Sequence, residues 1–227
     1  VPAPLVLFDI DGTLLRRAGP HHRQALETAA AKVLGIPATT DGVPTQGMLD
    51  RDILRVMLRA QGVSDAAIRR AMPELVRAAG LAYCRRKGPS LRRKVCPGAR
   101  MLVHRLSRRK ATLGLVTGNL SRIAWEKMRR AGLRDYFRFG AFAELAQHRA
   151  GLVKLALREA RAQGWIARSS PVTLIGDHEN DIRAARANGI RVVAVATGLS
   201  SPEQLAAERP DVLVPDLRAL DWESLLK

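Results

Sequence analysis

Near the N-terminus, an apolar run ends in two carboxylates one residue apart, in Val6-Leu7-Phe8-Asp9-Ile10-Asp11-Gly12-Thr13. In an extended segment that spacing puts Asp9 and Asp11 on the same side. Like charges that close repel, so the pair needs a cation or a shared proton. Further on, Gly176-Asp177-His178-Glu179-Asn180-Asp181 offers two more carboxylates four residues apart. If a helix begins there, one turn brings both to the same face. Between these segments, Thr117-Gly118-Asn119 supplies a hydroxyl and backbone amides just ahead of a helical pattern that begins at Ser121. The start of a helix attracts anions. The chain therefore holds acidic groups suited to a hard cation and amide donors suited to an anion.

Each group follows a short apolar segment of strand character: residues 4–9, 112–116 and 172–175. Strands are also expected near 138–142, 191–195 and 211–214, and helices near 98–109, 121–131, 151–163, 180–187, 202–207 and 216–226. Alternation of this kind predicts an α/β fold, a doubly wound parallel sheet with a Rossmann-like core. Ligands of such sheets bind at the carboxyl ends of the strands. Residues 16–95 break the pattern. They show helices near 21–34, 48–61 and 65–86 and no strand, and Pro73 is expected to kink or split the third helix. The expected division is a core of 1–15 and 96–227 with an inserted all-helical cap domain at 16–95.

The order DxDGT, then Thr117 after the next strand, then GDxxxD resembles the haloacid dehalogenase-like hydrolases, and within them the phosphoglycolate phosphatase-like branch with a helical cap. The resemblance runs from Leu5 to about Asp216. It implies Asp9 as a nucleophile that forms an aspartyl-phosphate, with Mg²⁺ as cofactor. The metal ligands would be Asp9, Asp177, the backbone carbonyl of Asp11, and Asp181 directly or through water. Asp11 would be the general acid and base, with a carboxyl pKa raised by burial and like charge. Family dehalogenases lack an aspartate at this place, so Asp11 favours phosphate chemistry over carbon–halogen cleavage. Thr117, Gly12, Gly118 and Asn119 would bind the phosphoryl oxygens.

The family's basic residue is usually a Lys followed by Pro, and this chain has no such pair ahead of GDxxxD. Arg149 and Lys154 are the candidates, with Arg149 preferred because it stands at the start of the helix expected at 151–163. Gly47-Met48-Leu49-Asp50 resembles a cap loop that closes over the site, which would make Asp50 a substrate contact. His21 and His22 read as solvated cap residues. The function implied is hydrolysis of a small phosphomonoester. Transfer of the phosphoryl group to a second sugar, as in a phosphosugar mutase, uses the same residues.

The formal net charge is +17 over 227 residues, and residues 51–110 carry 17 Lys and Arg against 3 Asp and Glu. This block includes Arg85-Arg86-Lys87, Arg92-Arg93-Lys94 and Arg108-Arg109-Lys110. It reads as a solvated, Arg-rich helical surface, mainly of the cap, that steers an anionic small-molecule substrate if it has a function. A polyanion or nucleic-acid binder on a hydrolase scaffold is the other reading, and the 4% aromatic content disfavours it, because single strands are held by stacking. No apolar run nears the roughly 18 residues that span a membrane. The apolar start, Val1 to Phe8, reads as a buried strand rather than a signal peptide. Two cysteines, Cys84 and Cys96, without metal or redox spacing fit a reducing cytoplasm.

Overall fold

β1 (Leu5–Phe8) is completely buried, as a four-residue apolar strand must be at the centre of a parallel sheet. In this computed structural model, which describes residues 3–16, 19–86 and 88–227, β1 pairs in parallel with β2 (Thr112–Val116) on one side and β4 (Val172–Gly176) on the other. β3 (Phe139–Ala141), β5 (Arg191–Val195) and β6 (Val212–Val214) complete a sheet of order β3-β2-β1-β4-β5-β6, parallel at every pairing. The three strands that carry the acidic and Thr motifs are thus the three central ones, so their carboxyl ends meet.

Side chains alternate across the sheet. Leu5, Leu7, Leu174, Val192 and Ala194 enter one apolar layer, while Val6, Phe8, Ile175, Val193 and Val195 enter the other. The first layer is covered by α6 (Arg149–Ala162) and α7 (Glu179–Ala187), the second by α4 (Ala99–Arg108) and α5 (Ser121–Ala131). Two covered faces make near-continuous apolar strands stable. A short α8 (Pro202–Ala207), with Ser201 and Gln204 capping each other reciprocally, leads to β6. Residues 216–226 do not form the expected α-helix; a 3₁₀ turn at Trp222–Leu226 takes the end of that segment.

Between β1 and β2 lie α1 (His21–Leu34), α2 (Asp50–Arg59) and α3 (Asp65–Arg85). α1 and α3 pack along each other. Pro73 sits inside α3, yet the helix is continuous. The chain enters and leaves this helical insertion through two adjacent segments. Leu15 pairs with Val95, Arg16 N–H donates to the Lys94 carbonyl at 2.8 Å, and Cys96 N–H donates to the Leu14 carbonyl at 2.9 Å.

The basic block is not confined to the insertion, since α4 lies beyond it in the return to the core. Several of its arginines have structural partners. Arg100 donates to the Ala131 and Gly132 carbonyls at the end of α5, and Arg105 and Arg109 stack on Trp222. Lys87 of the first triplet, like Val1 and Pro2 of the apolar start, lies outside the described residues. No helix among the described residues is long and apolar enough to cross a membrane.

Candidate active site

Just past the carboxyl end of β1, Asp9 is 4% exposed. Asp177 follows β4 and Asp181 lies in the first turn of α7; each offers an oxygen within 4.8 Å of the others and of Asp9. Glycine makes this approach possible. Gly12 has a φ of +93°, and a Cβ there would collide with the Asp177 carboxylate; Gly198 and Gly176 are equally close to Asp177 and Asp181. Thr13 Oγ1 donates to Asp177 Oδ1 at 3.1 Å, and Thr197 Oγ1 donates to the Gly12 carbonyl at 2.5 Å, which fixes the turn after β1.

Arg149, the first residue of α6, is the basic group among these acids. Its Nη1 donates to Asp9 Oδ1 at 3.0 Å and to Asp181 Oδ1 at 2.5 Å. Asp181 Oδ2 also accepts the His178 N–H, so the capping of α7 and the grip of Arg149 fix both of its oxygens. Lys154, the other candidate, is exposed on α6 and takes no part in this cluster. Five residues apart on α6, the two side chains leave the helix on different faces, so only one of them can reach the cluster. Arg149→Met is expected to lower turnover by about 10²–10³-fold and Lys154→Met by less than about threefold; steady-state phosphate release from the two variants checks this.

Three buried carboxylates face one guanidinium, which leaves an excess of negative charge. Burial pushes Asp9 up to about 6 against the pull of Arg149, and Asp181 and Asp11 add to the rise. Asp177 is raised well above the ordinary carboxylate range by burial and by its two acidic neighbours. Among the described residues no donor reaches Asp9 Oδ2 or Asp177 Oδ2. An all-oxygen donor set whose members lie within 4.8 Å of one another fits a hard divalent cation such as Mg²⁺. The opposite surplus lies beside it. Arg149 Nε is buried without a partner, and the buried Gly118 N–H has no acceptor among the described residues. Arg149 Nη2 would lie 3.5 Å from a Cβ at Gly118, so the guanidinium sits beside the Thr117–Asn119 turn.

Thr117 is fully buried, and its Oγ1 accepts the Asn119 side-chain amide at 3.0 Å, which leaves the hydroxyl proton for another acceptor. Asn119 Nδ2 also donates to Asp11 Oδ2 at 2.8 Å. Asp11 differs most from expectation. Burial alone would raise its pKa, but the Lys127 ammonium and the Asn119 amide hold the carboxyl below the ordinary range. Lys127 Nζ lies 2.8 and 2.6 Å from the two Asp11 oxygens. Asp11 is therefore an anion at rest, not a partly protonated acid.

Sequence reasoning missed Lys127, although a signal was present. On α5 the buried residues are Ile123, Ala124, Lys127, Met128 and Ala131, so Lys127 occupies the apolar stripe where a lysine has no place unless paired. His22 was misread as well. It is not a solvated histidine, for its two ring nitrogens contact Lys127 and Asp50. Asp50 is 2% exposed, and its Oδ2 accepts the Leu120 N–H at 2.8 Å and lies 2.9 Å from His22 Nε2. Its carboxylate ties the insertion to the core rather than opening toward a ligand. The loop before it is seated on the site, since Asp50 N–H donates to the Gly118 carbonyl and Asn180 Nδ2 donates to the Gly47 carbonyl.

A sequence profile of haloacid dehalogenase-like hydrolases matches residues 3–189. The chain belongs to the haloacid dehalogenase-like hydrolase family. Its relatives include the phosphoglycolate phosphatase of Pseudomonas fluorescens, 28% identical over 95% of this chain and 78% of that protein. The phosphoglycolate phosphatase of Synechococcus elongatus is also 28% identical, over 92% of this chain and 91% of its own. Among solved structures, CbbY of Rhodobacter sphaeroides in complex with phosphate superposes with a TM-score of 0.73 at 21% identity, with 99% of each chain covered. Within the family, the chain falls in the phosphoglycolate phosphatase-like branch and among the phosphoric monoester hydrolases.

Proposed function

We propose that the chain is a Mg²⁺-dependent phosphatase of a small phosphomonoester, working through a phosphoryl-aspartate at Asp9. The observation that carries this reading is the pairing of two surpluses at the carboxyl ends of the central strands. Free carboxylate oxygens of Asp9 and Asp177 adjoin unpartnered donors of Arg149 and Gly118. A phosphoryl group with a divalent cation satisfies both. Mg²⁺ would be held by Asp9, Asp177 and the Asp11 backbone carbonyl, with Asp181 in support, and when bound it supplies charge neutralisation between an anionic nucleophile and an anionic ester.

The protein's own groups divide the remaining work. Thr117 Oγ1, Gly118 N–H and the Arg149 guanidinium bind the equatorial phosphoryl oxygens, where negative charge is spread in the transition state. Asp9 attacks phosphorus as the bond to the ester oxygen breaks. Asp11, which takes up a proton from solvent as the ester binds, gives it to that oxygen, so an alcohol leaves; it then takes a proton from the water that attacks phosphorus, which frees phosphate and restores Asp9. The arriving phosphoryl anion raises the proton affinity of Asp11, offsetting the pull of Lys127. Oδ2 of Asp11 already accepts from both Lys127 and Asn119, so Oδ1 is the better placed to carry the proton.

Similarity to phosphoglycolate phosphatases makes phosphoglycolate the first substrate to test. The assay is phosphate release with Mg²⁺ from phosphoglycolate, glycerol phosphate, hexose phosphates and p-nitrophenyl phosphate. Turnover of at least one small ester, abolished by EDTA, is the expected outcome. Isomerised hexose phosphate without phosphate release would establish the mutase instead, and no turnover of any ester would overturn the reading.

A further inference from the structure

Lys127 is one of the largest fully buried side chains in the protein, at 1% exposure. A buried lysine must have its three N–H groups matched. Here the acceptors are the Asp11 carboxylate, Asn119 Oδ1 at 2.6 Å and His22 Nδ1 at 3.2 Å. Facing an ammonium, Nδ1 must accept, which puts the ring proton on Nε2, and Nε2 donates to Asp50 Oδ2. Asp50 in turn accepts the Leu120 N–H just ahead of α5, the helix that carries Lys127. The contacts form a closed circuit. It runs from Asp11 to α5, crosses to α1 and α2 of the insertion, and returns to the start of α5.

Stability does not explain this arrangement. A buried ion pair seldom outperforms apolar packing, and the stripe of α5 around Lys127 would accept methionine. What the circuit provides is orientation. The Asp11 side chain is held on one side by Lys127 and Asn119 while 38% of it remains exposed. We propose that Lys127 is a positioning residue for Asp11: it fixes the carboxylate toward the ester oxygen and, through His22, makes that orientation depend on the seating of the helical insertion. The inference rests on the reading of Asp11 as acid and base given above.

An acid matters most when the leaving group is a poor one. An alkoxide needs a proton as it departs, and a nitrophenolate does not. The test is kcat/KM with Mg²⁺ for phosphoglycolate and for p-nitrophenyl phosphate, in the parent, Lys127→Met, Lys127→Arg and His22→Ala proteins. Lys127→Met is expected to lose at least about 100-fold on the alkyl ester and less than about tenfold on the aryl ester. Lys127→Arg should recover part of the alkyl loss. His22→Ala should show a smaller loss with the same ester selectivity, and it keeps the test decisive should Lys127→Met fail to fold. A second readout needs no turnover. ¹⁵N shifts of His22 in magnesium-free protein should report the Nε2–H form in the parent and a changed Nδ1 environment in Lys127→Met.

Equal losses on both esters in a folded variant, an alkyl loss below about threefold, or an Nδ1–H ring in the parent would overturn the proposal and leave the phosphatase reading standing. A parent inactive on every small phosphomonoester overturns that reading first and this one with it.

Discussion

Asp9→Asn is expected to lower phosphatase turnover by at least about 10³-fold while the chain stays folded, because an amide oxygen cannot form the phosphoryl intermediate. The fold should tolerate the change. Asp9 is isosteric with asparagine, and it lies in a cluster where negative charge is in excess. The variant should melt no lower than the parent when magnesium is absent. Steady-state phosphate release and thermal melts of the two proteins side by side check both halves, and turnover within tenfold of the parent would remove Asp9 from the nucleophile's role.

The same charge excess should make stability depend on pH and, if the proposed site binds it, on Mg²⁺. Asp9 holds its proton up to about pH 6 in the folded chain, against 3.8 as its ordinary value. The folded state therefore binds more protons than the unfolded state in that window, and this part of the stability is lost as pH rises through it. The shift is worth about 3 kcal/mol in full, and roughly half of that returns on going from neutral pH to pH 5. Chelated protein should accordingly melt a few degrees higher at pH 5 than at pH 7.5, and Asp9→Asn should flatten that dependence. Mg²⁺ pairs with ionised carboxylates, so the rise in Tm it produces should grow with pH over the same interval and shrink in Asp177→Asn. An equal Mg²⁺ effect in parent and Asp177→Asn would place the ion elsewhere.

The central strands were legible because their apolar runs admit little else. Leu5–Phe8, Thr112–Val116 and Val172–Gly176 are short, bounded and buried on both faces. The end of α5 was legible from Gly132, which takes the left-handed conformation that stops the helix. The segment 216–226 misled because Leu217, Leu220 and Leu225 repeat at helical spacing. There, side chains compete for the backbone: Asp216 accepts the Arg218 N–H and Asp221 accepts the Glu223 N–H, and only a 3₁₀ turn follows.

At the site, the acidic groups were legible from their spacing after strands, whereas their electrostatics were not. The direction of the Asp11 shift depends on Lys127, which is 116 residues away in sequence, and no local pattern connects the two. Asp50 and His22 are a similar case, since their meeting depends on how α1 and α2 pack. The choice of Arg149 over Lys154 rested on where α6 begins, a boundary that periodicity fixes poorly.

The central claim, a covalent phosphoryl group on Asp9, can be read directly by making its hydrolysis slow. In Asp11→Asn the base for the second step is gone, while p-nitrophenyl phosphate needs no acid for the first. Mixing this variant with the aryl ester and Mg²⁺, quenching in acid and mapping the peptides by mass spectrometry is the measurement. The account predicts a burst of about one nitrophenolate per protein and a phosphoryl group on Asp9, absent from a variant that also carries Asp9→Asn. Phosphorylation at another residue, or steady nitrophenolate release with an unmodified Asp9, would contradict it.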